Sequence, residues 1–231
     1  MSQPNLYEPD VDLPKPINAP NHERLIEAAR YALLRRLAPA LRHDLAGSLQ
    51  PISMIATILE RRLQMAQPDL ELLAKNASVI SNLSREAVSS CMSLMTWLAP
   101  QGQSSQPINT GVDDVLKLLV TDFSFRGFTL ENDCGDAQGH VLRSVLRSVF
   151  VAALLALSDT AQAPALIRIG VQTSDEGLTL LLTLTDQAGE PPPALDFAYR
   201  LIGWDDVQAL AISERVQFSR DEKAVAIRFG Y

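Results

Sequence analysis

Helical periodicity runs through residues 21–63 and again through 69–98, parted only by Met65-Ala66-Gln67-Pro68-Asp69, and each run carries a single apolar stripe. No other feature limits the possible folds so sharply. On a wheel of about 100° per residue with His43 at zero, Leu34, Leu41, Leu45, Ile52, Ala56, Leu59 and Leu63 collect near 180°, the expected buried stripe of the first helix. In the second, Leu73, Ala77, Ile80, Ser84, Ala87, Cys91, Leu94 and Leu98 alternate spacings of four and three residues, a heptad seam. Two antiparallel helices with one stripe each bury too little alone. The expected form is therefore a long hairpin that pairs with a second copy as a four-helix bundle.

Local chemistry fits that outline. Asn21 is a natural N-cap for the first helix, and Pro68-Asp69 closes the hairpin turn and caps the second. Pro39 and Pro51 lie inside the first helix without the N–H that bonds four residues back, which predicts bends on either side of His43 or a break at Pro39. Residues 1–20 hold five prolines and are expected as a flexible tail, residues 21–99 as the hairpin domain. Residues 100–107, with Pro100, Gly102 and two serines, read as a linker to a second domain at 108–231.

That second domain has a different texture. Helices are expected over 112–123, 141–157, 195–201 and 205–212, and strands over 128–131, 166–173, 178–185, 215–219 and 224–229, with Ser174-Asp175-Glu176-Gly177 as a hairpin turn. Helices on one face of a mostly antiparallel sheet make an α+β class, an α/β sandwich following the hairpin.

The formal charge of −7 and a pI near 5.0 disfavour nucleic acid and anionic membrane as partners, since phosphate contacts need clustered Lys and Arg. No signal segment opens the sequence and its longest apolar run, 149–157, is too short to cross a bilayer, so a cytoplasmic location is expected. Cys91 and Cys134 lack CxxC or histidine partners and are expected as two reduced thiols. Three dispersed histidines make no metal site, and His22 and His140 stand beside expected helix starts.

His43 is the exception. It lies opposite the expected stripe, on an outward face with Gly47, Gln50, Met54, Thr57 and Arg61, where a small residue gives clearance beside the ring. A lone surface histidine usually does nothing, but a neutral imidazole can accept a phosphoryl group on one ring nitrogen and pass it onward. Asp44, about 100° round the helix, can orient the ring or handle its proton, while Arg42 or Arg61 can offset phosphate charge. Ser48, about 140° away, is poorly set for a Ser–His pair. Trp97, Trp204, Met92 and Met95 are expected as packing residues, and Arg35, Arg36, Arg61 and Arg62 as a solvated face.

His43-Asp44-Leu45, with Leu49 six residues after the histidine, on the first helix of a hairpin followed by an α+β domain, resembles the H-box and dimerisation domain of two-component histidine kinases. The usual text there is His-Glu/Asp-Leu-Arg-Thr/Asn-Pro-Leu; here Ala46, Gly47 and Ser48 replace its Arg, Thr/Asn and Pro. Kinases of this family bind ATP through an Asn-xxx-Asn-Ala helix, an Asp-x-Gly-x-Gly turn and a glycine-rich lid. In this chain Ala152 and Ala156 stand for the asparagines, Asp186-Gln187-Ala188-Gly189-Glu190 keeps one acid but loses two glycines, and the lid region has only Gly203. Mg²⁺ needs oxygen ligands that alanines do not supply. The resemblance therefore implies a degenerate ATPase-like domain, closest to the dimeric histidine phosphotransferases of bacterial phosphorelays. It implies a homodimer in which His43 shuttles phosphate between receiver-domain aspartates, with Asp44 assisting and Arg42, Gly47, Gln50, Met54, Thr57 and Arg61 meeting the partner. No cofactor is expected on this chain, Mg²⁺ belonging to the receiver. The alternative is a non-catalytic pseudo-histidine-kinase module that binds and regulates a response regulator or kinase.

Overall fold

The computed structural model describes residues 19–98, 104–174, 177–193 and 199–230. The tail up to residue 18, most of the helix expected at 195–201 and the tip of the 174–177 turn lie outside the described residues.

α1 (Ala19–Leu63) is one helix of 45 residues, continuous through Pro39 and Pro51. The break expected at Pro39 does not occur. The two carbonyls that lose a donor belong to Arg35 and Gly47, both exposed residues, so each proline costs a helix bond without opening a buried hole. α2 (Leu70–Leu98) starts on Asp69, whose Oδ1 accepts from the backbone N–H of Glu71 at 3.0 Å and of Leu72 at 3.1 Å. The pair packs as a hairpin.

The buried face of α1 is not the single expected stripe. In its first half Ala29, Ala32, Leu33 and Leu37 are buried, and these span about 140° of the wheel on a face that begins at the His43 side. The expected stripe is half-buried at Leu34, Leu41, Leu45, Ile52, Ala56 and Leu59, along the part of the helix that packs on α2 and before it, while Leu63 is 56% exposed. One helix thus serves two partners through two faces. The α2 seam also differs: Leu73, Asn76, Ile80, Leu83, Ala87 and Ser90 turn inward, whereas Ala77 and Cys91 are exposed.

The second part begins with β1 (Ser105–Pro107), at the end of the stretch expected as linker, followed directly by α3 (Ile108–Phe125). β2 (Phe128–Asp133) and β3 (His140–Leu142) come next, β3 pairing antiparallel with β1. The helix expected from Val141 starts at Arg143, because Val141 lies in β3; α4 (Arg143–Val145), a π turn (Leu146–Phe150) and α5 (Val151–Thr160) then run on in sequence. β4 (Ala165–Ser174), β5 (Gly177–Asp186), α6 (Trp204–Glu214), β6 (Gln217–Arg220) and β7 (Ala224–Phe229) complete the chain. The sheet order is β2-β4-β5-β7-β6, parallel at β2/β4 and antiparallel elsewhere.

Alternation buries Ile167, Ile169, Leu180, Leu182, Val225 and Ile227 on one sheet face, the α+β arrangement with helices over that face. The same core takes in Ala29, Ala32, Leu33 and Leu37, so the start of α1 is packed into one interior with the sheet and its helices. That docking decides where His43 points.

Candidate functional site: a histidine cleft between α1 and α3

A buried ion cluster fixes α1. Asp159 of α5 accepts from Arg36 at 2.8 Å and from Arg126, which follows α3, while the backbone N–H of Ile202 reaches its other oxygen at 3.1 Å. The side chains of Arg36, Arg126 and Asp159 are 5%, 5% and 1% exposed. Arg36 therefore does not belong to the solvated arginine face expected for it. Arg30 donates to Ser213 at 2.8 Å, and Tyr31 meets the Tyr199 ring edge-on at 5.8 Å, so the start of α1 is also tied to α6 and the segment before it.

Seven residues beyond Arg36 the same face of α1 carries His43, which is exposed but not in open solvent. It lines a cleft of about 210 Å³ with Asp44, Lys117, Thr121, Asp122 and Phe125, all but the first of these from α3. A neighbouring cleft of about 260 Å³ holds Leu41, Asp44, Ser90, Asp114, Lys117 and Arg147. Asp44 and Lys117 belong to both. Burial pushes the Arg147 guanidinium below its ordinary value, aided by Arg143 and opposed by Asp114.

α3 holds its wall rigidly, since Val112, Val115, Leu116, Leu119 and Phe123 are buried behind it. Reading the sequence missed α3 altogether as a part of this site. Its lysine, threonine and phenylalanine look like an ordinary solvated helix face, and only the docking of α1 brings them to the histidine.

The other expected site residues stay on the hairpin. Arg42, Gly47, Gln50, Met54, Thr57 and Arg61 are all exposed, Met54 at 61%, and a Cβ placed on Gly47 would meet nothing within 4 Å. Arg42 lines neither cleft. Because α1 is continuous, Arg61 stands about 27 Å along the axis from His43 and cannot reach a phosphoryl group on it.

The positions expected around a nucleotide do not share a pocket. Ala152 and Ala156 are 0% exposed within the core, while Asp186 is on the surface in an ion pair with Lys223 at 2.6 Å. Asp186 lines a cleft of about 640 Å³ with Trp204, Arg220 and Gln162. Trp204 stacks on Phe218 at 6.0 Å under the Arg220 guanidinium, a packing arrangement. Among the described residues no cluster of His, Cys, Asp and Glu is set to hold a metal, and no helix is long and apolar enough to cross a membrane.

No family profile matches the chain, and no curated protein matches it. Solved structures do. An Acinetobacter baumannii histidine kinase, AdeS, is 16% identical over 78% of this chain and 96% of its own, with a TM-score of 0.42. A bacterial phosphotransferase is 14% identical over 93% and 98% of the two chains, at 0.37. Histidine kinase ThkA in complex with response regulator TrrA is 15% identical over 89% of this chain and 64% of that one, at 0.38.

Proposed function

We propose that the chain is a histidine phosphotransferase that carries a phosphoryl group on His43 between receiver-domain aspartates, and that it works as a homodimer without a nucleotide of its own. The observation that carries this reading is the position of His43: an accessible imidazole on a long helix, its base anchored by a buried ion cluster, opening onto an exposed stripe of side chains. In the forward step a ring nitrogen attacks the phosphorus of an aspartyl phosphate. The P–N bond forms as the P–O bond breaks, and the receiver's carboxylate leaves. The second receiver's carboxylate attacks in the return step and frees the imidazole. Asp44 orients the ring or holds the proton on its other nitrogen, and the receiver brings its own Mg²⁺. Gly47, Gln50, Met54, Thr57 and Arg61 form the surface on which the receiver lies, with Arg42 at its edge.

The burial of Ala152 and Ala156 supports the absence of a nucleotide step, since no oxygen ligand is offered there. The test is incubation with phosphorylated receivers from the same cell, wild type against His43→Gln. Transfer should disappear in the variant while its thermal unfolding is unchanged. Transfer that survives the substitution excludes His43 as carrier. Receiver binding that survives His43→Gln, with no phosphohistidine even in the wild type, is the signature of the pseudo-kinase alternative.

A further inference from the structure

Resting on the reading of His43 as a phosphoryl acceptor, we propose that Lys117 of α3 is the cation that holds the phosphoryl group, so that the acceptor site is built by both parts of the chain. A phosphoryl group adds a charge of about −1.5 to −2 at neutral pH. In the His43 cleft it meets two carboxylates, Asp44 and Asp122, and among the described lining residues Lys117 alone carries a positive charge.

The other cations near the helix are elsewhere. Arg42 is about 100° round α1 on the side away from Asp44 and lines neither cleft. Arg61 is about 27 Å away. Arg147 lines the adjoining cleft and not that of His43, and Arg126 is committed to Asp159. Lys117 lines both clefts from a helix whose opposite face is packed into the core, so its root is fixed while its side chain is exposed to an incoming anion.

Phosphoramidate tests this without any receiver. A ring nitrogen of His43 attacks phosphorus, the P–N bond to the leaving ammonia breaks as the new P–N bond forms, and ammonia or buffer takes the proton left on the ring. Initial rates of phosphohistidine formation are read by intact mass and ³¹P NMR in wild type, His43→Gln, Lys117→Met, Lys117→Arg and Lys223→Met. The expected pattern is about tenfold slowing in Lys117→Met, recovery of most of the rate in Lys117→Arg, and no change in Lys223→Met, a surface lysine far from the cleft. The Lys117→Met deficit should also shrink as salt is raised.

A Lys117→Met protein that reacts at the wild-type rate overturns the role of Lys117 and leaves the carrier reading standing. So does equal slowing in Lys117→Met and Lys117→Arg at unchanged melting temperature, since charge is then not what matters. A wild type that gains no more phosphate than His43→Gln removes the carrier reading and Lys117's role with it.

Discussion

Asp159 shares one oxygen between two guanidiniums that the chain supplies from far apart, Arg36 on α1 and Arg126 after α3. Burial works against its charged form while Arg126 and Arg36 oppose that push. Removing the carboxylate leaves two buried positive groups facing one another, and Asp159→Ala should cost about 3–5 kcal/mol in urea unfolding. A loss below about 1 kcal/mol would show that the cluster does not hold α1 in place. Nothing in the spacing of Arg35 and Arg36 distinguishes the buried one from its solvated neighbour, because the partner lies more than a hundred residues away. That the two thiols are unpaired was easier to anticipate, although Cys91 was expected in the α2 seam. Cys134 is pushed up to about 11 by burial first and then by Asp113 and Asp133, whereas Cys91 is exposed. At pH 8 Ellman's reagent should therefore titrate one thiol ahead of the other in the native protein and both together in denaturant, and loss of the earlier one in Cys91→Ser identifies it. Asp206 gives a pH dependence. Burial disfavours its charge, but hydrogen bonds from Arg200 and the Gly203 N–H outweigh that and hold it below the usual carboxylate range. Its stabilisation is present above the unfolded carboxylate value near 3.9 and is lost as pH falls through the lower folded value. Asp206→Asn should therefore lower the melting temperature at pH 6, an effect that shrinks as pH falls and is gone once the folded carboxylate is protonated.

At the scale of elements, the hairpin, its turn at Pro68-Asp69 and the strands β4, β5 and β7 were legible because each depends on local periodicity and turn chemistry. The orientation of α1 was not. A wheel averages over the whole helix, and α1 packs in its first half on the core beside α6 and α3 and further along on the flank of α2, so its two stripes are turned about 135° from each other round one axis. His43 falls near the changeover, which is why its face is both solvent-facing and walled by α3. Gly47 tests what the exposed half is for. Alanine fits there without a contact and is a better helix former, so Gly47→Ala should stabilise the fold by about 1 kcal/mol. If the stripe is where a receiver lies, the same change should slow phosphotransfer from a receiver while leaving the phosphoramidate rate intact. Faster unfolding, or equal loss in both reactions, would place the role of Gly47 in the helix itself.

For the whole molecule, the outer face of α2 carries a second heptad stripe: Leu70, Ala74, Ala77, Ser81, Ser84, Val88, Cys91 and Met95. Leu70, Val88 and Met95 are 77%, 63% and 63% exposed, and Ser84 alone is half-buried. The seam expected from the sequence mixed this stripe with the inward one, since the two differ by a single residue at alternate steps and no spacing rule separates them. A helix with apolar residues on two adjacent faces has one more face than the hairpin can cover, and small residues along it suit the close approach of another helix. This is the surface to which the proposed dimer assigns a second copy. Light scattering at micromolar concentration should give twice the chain mass of 25.3 kDa, and Val88→Glu should give the monomer with Cys91 reacting several-fold faster. The phosphoramidate rate of that monomer should be unchanged, because His43, Asp44 and Lys117 come together within one chain. A wild type of monomeric mass would remove the second copy, and a monomer that had lost the reaction would mean that the cleft needs it.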